Sequence, residues 1–159
     1  MKNKLLIGGA LILIIGIILI AIGINVIVSN IHTTNTWHRV NDSLYISDEI
    51  KISEDTLLIV SHGGHHFGII NSKDFRTSYL ENVSYEPIET TNNEAIYDLD
   101  NGSYLVWINS NYTPHATINY ISINLLLVYG VITIGGLVLF IVGIILLPLA
   151  IISSRKIKK

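Results

Sequence analysis

Two long uncharged runs constrain this chain more than any other feature of its sequence. They extend from Leu5 to Val28 and from Leu125 to Ile152, and neither contains Asp, Glu, Lys or Arg. A helix needs about 20 apolar residues to cross a hydrocarbon core about 30 Å thick. Both runs exceed that length. The sequence therefore predicts two transmembrane helices, over residues 5–28 and 125–152.

The charges outside these runs predict the orientation. The tails, residues 1–4 and 153–159, hold six of the ten basic residues and no acid. Residues 29–124 hold the other four basic residues and all twelve acids, so their formal net charge is 4 − 12 = −8. Positive residues favour the cytoplasmic side. We expect both tails in the cytoplasm and residues 29–124 outside the cell membrane.

A cleaved signal peptide is the competing interpretation of the N-terminus. A signal peptide has an apolar core of about 7–15 residues followed by a cleavage site of small residues. The first run here is longer than that, and no small-x-small site follows it. These features favour a retained membrane anchor.

Small residues recur at every seventh position in both runs. They are Gly9, Gly16 and Gly23 in the first run, and Gly136, Gly143 and Ala150 in the second. Seven residues are almost two helical turns, so each trio forms a stripe, and small residues let helices approach closely in a membrane. We expect an antiparallel hairpin in which Gly9 lies near Ala150, Gly16 near Gly143 and Gly23 near Gly136. The alternatives are a partner's helix on the stripes, or glycine that is simply common in membrane helices.

The segment between the runs is predicted to be an all-β extracytoplasmic domain. Short alternating or β-branched segments are separated by turn-forming residues, which is typical of an antiparallel sandwich or small barrel of six to eight strands. Cysteine is absent, so the domain has neither disulfides nor thiolate metal ligands. The predicted strands are Glu49–Ser53, Thr56–His62, His65–Ile70, Ala95–Leu99, Ser103–Asn109 and Ala116–Ile123, with less regular candidates at Leu44–Ser47 and Thr77–Ser84.

Two glycines flanked by histidines are the most unusual local feature. Gly63 and Gly64 lie between two strand patterns, which predicts a two-residue hairpin. In that register His62 faces His65 across the turn, close enough for both to ligate copper or zinc. His66 points the other way, so a third ligand would have to come from His32, His38 or His115. The alternative is that these histidines are polar residues at a solvated hairpin tip.

Four Asn-x-Ser/Thr sequons lie in the segment expected to be outside, at Asn41, Asn82, Asn101 and Asn111. Each is a candidate glycosylation site if the host glycosylates proteins. No nucleophile elbow, phosphate loop or zinc-helix motif is present in the sequence, so we expect a protein that is not an enzyme. The acidity of the domain disfavours nucleic-acid binding.

The second half of the chain carries a weak family resemblance. The segment Asp98–Asn109, followed by Ala116–Tyr120 and an apolar helix, resembles the end of extracytoplasmic β-sandwich modules such as the GOLD domain of the p24 cargo proteins. The resemblance implies a strand-rich domain before a C-terminal membrane helix. This chain departs from that family because its first helix is retained and its tail lacks aromatic residues, so no functional residue is carried over.

These observations predict a non-enzymatic two-pass membrane protein. Its outer domain is expected to bind another protein, as an accessory subunit of a membrane complex, with the lipid bilayer and a membrane protein or a second copy as partners. The alternative function is an extracytoplasmic copper- or zinc-binding protein that uses His62 and His65.

Overall fold

The computed structural model describes residues 2–75, 80 and 84–155, with side chains described from residue 6 to 152 of those ranges. The chain divides into two compact units. One comprises Met1–Asn30 with Leu125–Lys159, and the other Ile31–Asn124. Two long apolar helices therefore flank a β-rich region of antiparallel sheets, as the sequence predicts.

The first unit contains two helices, α1 (Lys2–Ser29) and α2 (Ile123–Arg155). Both are long and apolar enough to cross a membrane, over Leu6–Ser29 and Ile123–Ile152. The Asn30 amide donates to the Val26 carbonyl at 2.8 Å, which satisfies one of the last carbonyls of α1.

The two helices contact each other through their small residues. Among their described side chains, the only buried ones are Gly9, Gly16, Gly23, Gly136, Gly143 and Ala150. The approach is close, because a Cβ built on Gly16 would lie 2.6 Å from the Phe140 nitrogen. The register differs from the one expected. Gly16 lies against Gly136 and Phe140 rather than Gly143, a shift of about one helical turn that places each glycine between residues of the facing helix.

The described residues of the second unit form ten strands in two antiparallel five-stranded sheets. The first sheet has the order β1-β10-β5-β8-β7. The second has the order β2-β3-β9-β4, with β6 along the other side of β9. The strands are β1 His32–Thr34, β2 Trp37–Arg39, β3 Leu44–Ser47, β4 Ile50–Ile52, β5 Thr56–Ser61, β6 His66–Asn71, β7 Glu89–Thr90, β8 Glu94–Leu99, β9 Gly102–Asn109 and β10 Thr117–Ser122.

The strand count exceeds the expected six to eight because three strands, β1, β2 and β7, were not predicted from the sequence. Strands β1, β2 and β7 have only two or three residues each, too few to show an alternating pattern. The strand candidate at Thr77–Ser84 falls mostly on residues 76–79 and 81–83, outside the described residues.

The main core lies between the two sheets. The alternating residues of β5 and β8 bury their side chains against those of β4, β6 and β9. Leu58, Val60 and Val106 are fully buried there, and burial raises the pKa of Tyr97 to about 12. The pKa of Tyr104 is also raised, first by burial and then by neighbouring Tyr85. The sheets therefore enclose an interior from which water is excluded.

A second, smaller core covers the outer face of the β9 sheet. Trp107 packs there with Leu44, Ile70 and Leu80, and its indole N–H donates to the Ser84 hydroxyl at 2.9 Å. Odd spacing places Tyr104 and Trp107 on opposite faces of β9, which would leave one of them exposed in a simple sandwich. Both are buried, because Leu80 and Ser84 contact Trp107 on the outer face.

Candidate interaction surface at the tip of the sandwich

The sandwich has two distinct ends. At one end β10 finishes beside the start of β5, where Ser122 pairs with Thr56 and α2 follows directly. At the opposite end Thr117 pairs with Ser61, and the chain turns through Gly63 and Gly64. We call this opposite end the tip. The side chains of His62, His65 and Tyr112 are held there.

The Gly63–Gly64 turn forms, but the predicted hairpin does not. Both glycines have positive φ, 59° and 82°, and the His65 N–H donates to the His62 carbonyl at 3.1 Å. Strand β5, however, pairs with β10 and β8, whereas β6 pairs with β9 in the other sheet. Because both edges of β5 are already occupied, the chain crosses between the sheets after the turn. His62 and His65 flank the turn as predicted, but the pairing of β5 with β6 beyond it is wrong.

His62 is a core residue. Its side chain is 6 % exposed, and its ring stacks on Phe67 with centroids 4.2 Å apart. Its backbone N–H donates to the Asn93 carbonyl at 2.8 Å, which ties the turn to the loop before β8. Among the described residues neither ring nitrogen has a hydrogen-bond partner, so His62 is a buried polar group whose hydrogen-bonding capacity is unmet there.

His65 lies closer to solvent than His62. Its ring meets the edge of the Tyr112 ring at a centroid distance of 5.6 Å, and Tyr112 is 61 % exposed. His66 is exposed and contacts the edge of the Trp107 ring at 5.2 Å. The three histidines therefore face three different aromatic rings rather than one another.

The loop that carries Tyr112 is internally hydrogen-bonded. The buried Ser110 donates through its backbone N–H to the Ser43 carbonyl at 2.8 Å and through its hydroxyl to the Tyr112 carbonyl at 2.6 Å. The Tyr112 N–H donates back to the Ser110 hydroxyl at 3.3 Å. Pro114 is buried behind this turn. Tyr112 thus presents a large ring to solvent from a backbone that is already ordered.

The remaining histidines have partners elsewhere. His32 stacks on Tyr120 with centroids 5.1 Å apart, His38 pairs with Asp48, and His115 is exposed. Within the described ranges, no three His, Asp or Glu side chains are grouped so as to hold a metal ion. The copper or zinc site of His62 and His65 stays a prediction, without the hairpin register that motivated it.

Three of the four sequon asparagines lie in the described part of the chain. Asn41 is exposed, and its side-chain oxygen accepts the Ser43 and Leu44 N–H groups at 3.0 and 2.9 Å, which leaves its amide nitrogen free of that turn. Asn101 and Asn111 are exposed, and Asn82 falls outside the described residues.

Comparison of the chain with family models, curated proteins and solved structures finds no match in any of the three. The GOLD-like resemblance of residues 98–120 therefore receives no support beyond the residues that carry it. The candidate site must be judged on its own geometry.

Sequence reasoning missed the burial of His62 and the role of Tyr112. His62 follows the alternation of Leu58 and Val60 on the inner face of β5. This period of two residues could have predicted that His62 is buried. No comparable signal marks Tyr112, because its exposure depends on Ser110 and Ser43, which come from separate loops.

Proposed function

We propose that this chain is a two-pass membrane protein whose outer sandwich binds a membrane-protein partner, as an accessory subunit of a complex. Both termini lie in the cytoplasm and residues 29–124 lie outside. One observation carries the membrane placement: only 11 % and 17 % of the two apolar windows are buried. The core helix of a soluble protein buries its apolar side chains, whereas a membrane helix leaves them for lipid.

The tip supports the partner-binding part of the proposal. Tyrosine supplies a large, rigid contact area at low entropy cost and is enriched among the residues that dominate binding energy. Tyr112 combines 61 % exposure with a loop ordered by Ser110, and His65 lies against its ring. The tip is the end of the sheets opposite the Ser122–Thr56 pair.

Co-purification in mild detergent tests the proposal. The tagged full-length chain is extracted from its native membrane, and co-purifying proteins are identified and quantified by mass spectrometry. We expect a stoichiometric membrane protein, whose recovery falls with Tyr112→Ala. Ile88→Ala is the matched control, because Ile88 is 65 % exposed on another part of the domain. Recovery of the chain alone, or equal recovery with both variants, would contradict the proposed surface.

The orientation has its own test, because the chain contains no cysteine. Single cysteines at Lys2, Ser43 or Lys159 are treated with a membrane-impermeant maleimide. We expect Ser43→Cys to react in intact cells, and Lys2→Cys and Lys159→Cys to react only after permeabilisation. Reaction of either terminal cysteine in intact cells would overturn the assignment of the tails to the cytoplasm.

A further inference from the structure

A pocket opens at the end of the sandwich opposite the tip. It has a volume of about 420 Å³ and lies where β9 begins, between the end of β4 and the end of β6. We call it the basal pocket. The polar side chains that line it are Lys51, Ser53, Asn71, Lys73, Asn101 and Ser103.

These polar side chains are hydrogen-bond donors, and among the described residues no carboxylate lines the basal pocket. Each lysine ammonium offers three N–H donors, each asparagine amide two, and each serine hydroxyl one. Asn71 is also oriented, because its side-chain oxygen accepts the Lys73 N–H at 3.0 Å. That bond occupies the Asn71 acceptor, so its amide nitrogen remains to donate.

The charge distribution makes this grouping unusual. Residues 29–124 contain four basic residues against twelve acids, and two of the four, Lys51 and Lys73, line the basal pocket. Arg39 is instead paired with Asp42 at 3.0 Å. Lys51 lies 3.8 Å from Glu49, and in the described part of the chain no carboxylate pairs with the Lys73 ammonium.

The backbone around the pocket is fixed. Gly102 pairs with Ile52 at the start of β9, and a Cβ on Gly102 would lie 3.0 Å from the Tyr104 ring. The Tyr104 hydroxyl donates to the Asp100 carbonyl at 3.1 Å, which holds the turn that carries Asn101. The donors therefore project from strand ends and from the short turns that follow them, with Lys73 in a 3-10 helix over Ser72–Asp74.

We propose that the basal pocket binds a tetrahedral oxyanion of the phosphate or sulfate class. Two ammonium groups supply charge, and the amide and hydroxyl groups supply directed hydrogen bonds, which is the donor set such anions require. The anion is carried either by a lipid headgroup or by a soluble molecule.

The test uses the full-length chain, labelled with nitrogen-15, in uncharged detergent micelles. Inorganic phosphate is titrated against chloride at constant ionic strength, and the Gly102 and Ser103 amide signals are followed by NMR. We expect saturable shifts at these amides. Removal of one charge-assisted hydrogen bond by Lys73→Gln should weaken binding about tenfold.

Arg39→Gln is the matched control, because it removes the same charge away from the pocket. We expect it to leave phosphate binding unchanged. Absence of saturation in the wild type would overturn the proposal. Equal weakening by Lys73→Gln and Arg39→Gln would also overturn it, because binding would then depend only on the net charge of the domain. The signals of the rest of the domain show whether each variant is folded.

A second arm distinguishes the two sources of the anion. The titration is repeated with the chain in phosphatidylcholine nanodiscs and in nanodiscs that also contain phosphatidylglycerol. If phosphatidylglycerol shifts the Gly102 and Ser103 signals by itself and abolishes the phosphate response, the source is the headgroup. If the phosphate response is the same in both nanodiscs, the source is a soluble oxyanion. In either case Lys73→Gln must weaken the response.

Discussion

The sandwich and the helix pair bury opposite kinds of side chain. In the sandwich, the residues that lose all contact with solvent include Leu58, Val60 and Ile69. In the helix pair, the buried positions are glycines and one alanine, while Val131 and Ile134 are 69 % and 64 % exposed. The sandwich thus buries large apolar side chains, whereas the helix pair buries small residues and leaves its large apolar side chains exposed.

The difference indicates that a different force stabilises each unit. Removal of apolar surface from water stabilises the sandwich by about 25 cal/mol per Å². That force cannot assemble a helix pair that leaves its largest apolar side chains outside. Close backbone approach through small residues gives van der Waals contact instead, which is how helices associate in lipid. The four predictions below test this contrast, beginning with the largest effect.

Replacement of a leucine by alanine should cost more stability in the sandwich than in the helix pair. Leu58→Ala removes a fully buried side chain, and we expect it to lower the free energy of unfolding of the sandwich by about 2–5 kcal/mol. Leu137→Ala, at a residue 49 % exposed in α2, should change stability by less than about 0.5 kcal/mol. Denaturant unfolding in mild detergent, followed by tryptophan fluorescence and circular dichroism, measures both. Equal costs would show that another protein surface covers Leu137.

The stability of the sandwich at high pH should depend on the burial of Tyr97. The pKa of Tyr97 is about 12 in the folded state, against about 10 when unfolded. The stability due to neutral Tyr97 is therefore complete below pH 10 and is lost as the pH rises toward 12, by roughly 2–3 kcal/mol. Tyr97→Phe should abolish this loss, and Tyr112→Phe, at an exposed position, should not. Only the slope due to Tyr104, whose pKa is also raised, should remain in Tyr97→Phe, and a slope as steep as that of the wild type would contradict the assignment.

Two neighbouring glycines in α2 should show whether contact with α1, rather than glycine content alone, determines the association of the helices. A Cβ on Gly136 would lie 2.8 Å from the Ile20 nitrogen, whereas one on Gly135 meets nothing within 4 Å. We expect Gly136→Leu to weaken helix association by about 1–3 kcal/mol and Gly135→Leu to have little effect.

A disulfide reports this association in the otherwise cysteine-free chain. A Cβ on Gly9 lies 3.4 Å from the Leu146 Cβ, close to the separation in a disulfide, so the pair Gly9→Cys and Leu146→Cys should crosslink. The yield of this disulfide should fall when Gly136→Leu is added and should be unchanged with Gly135→Leu. Equal yields would mean that the glycine stripes do not determine the contact.

The smallest effect concerns the one buried polar ring at the tip. His62→Leu removes two unpaired ring nitrogens from the core, so we expect stability to rise by about 1 kcal/mol. His65→Leu, at a partly exposed position, should stay within about 0.5 kcal/mol of the wild type. Thermal unfolding in detergent measures both. Destabilisation by His62→Leu would show that the ring nitrogens bind a partner such as an ordered water or a metal ion.

The helices were more predictable from sequence than the sandwich because their information is local. Charge-free length marks α1 and α2, and a period of seven marks the residues that turn out to be buried. Even so, the register of the pair was not predicted. It depends on how Gly16 fits against Phe140, which composition does not specify.

Strand positions were predictable and strand pairing was not. Segments such as Ser103–Asn109 match their strands to within a residue, because alternation and turn residues are local signals. Pairing depends on partners that are distant in sequence, so the turn at Gly63 and Gly64 gave no indication that β6 leaves β5 for the other sheet. The basal pocket was missed for the same reason, since Lys51, Lys73 and Asn101 come from three separate segments.

The adjacency of β1 and β10 has a consequence for the order of events during synthesis. These are the first and last strands of the sandwich, and the Thr33 hydroxyl donates to the Asn119 side chain across 86 positions of the chain. Until Thr117–Ser122 emerges, β5 lacks a neighbour along one edge, and an unpaired edge can recruit another chain. The strand that closes this edge directly precedes α2, so the sandwich cannot be completed until the chain has been made up to the start of α2. Completion of the β sandwich therefore depends on the last strand before the second apolar helix, and not on any earlier segment of the chain.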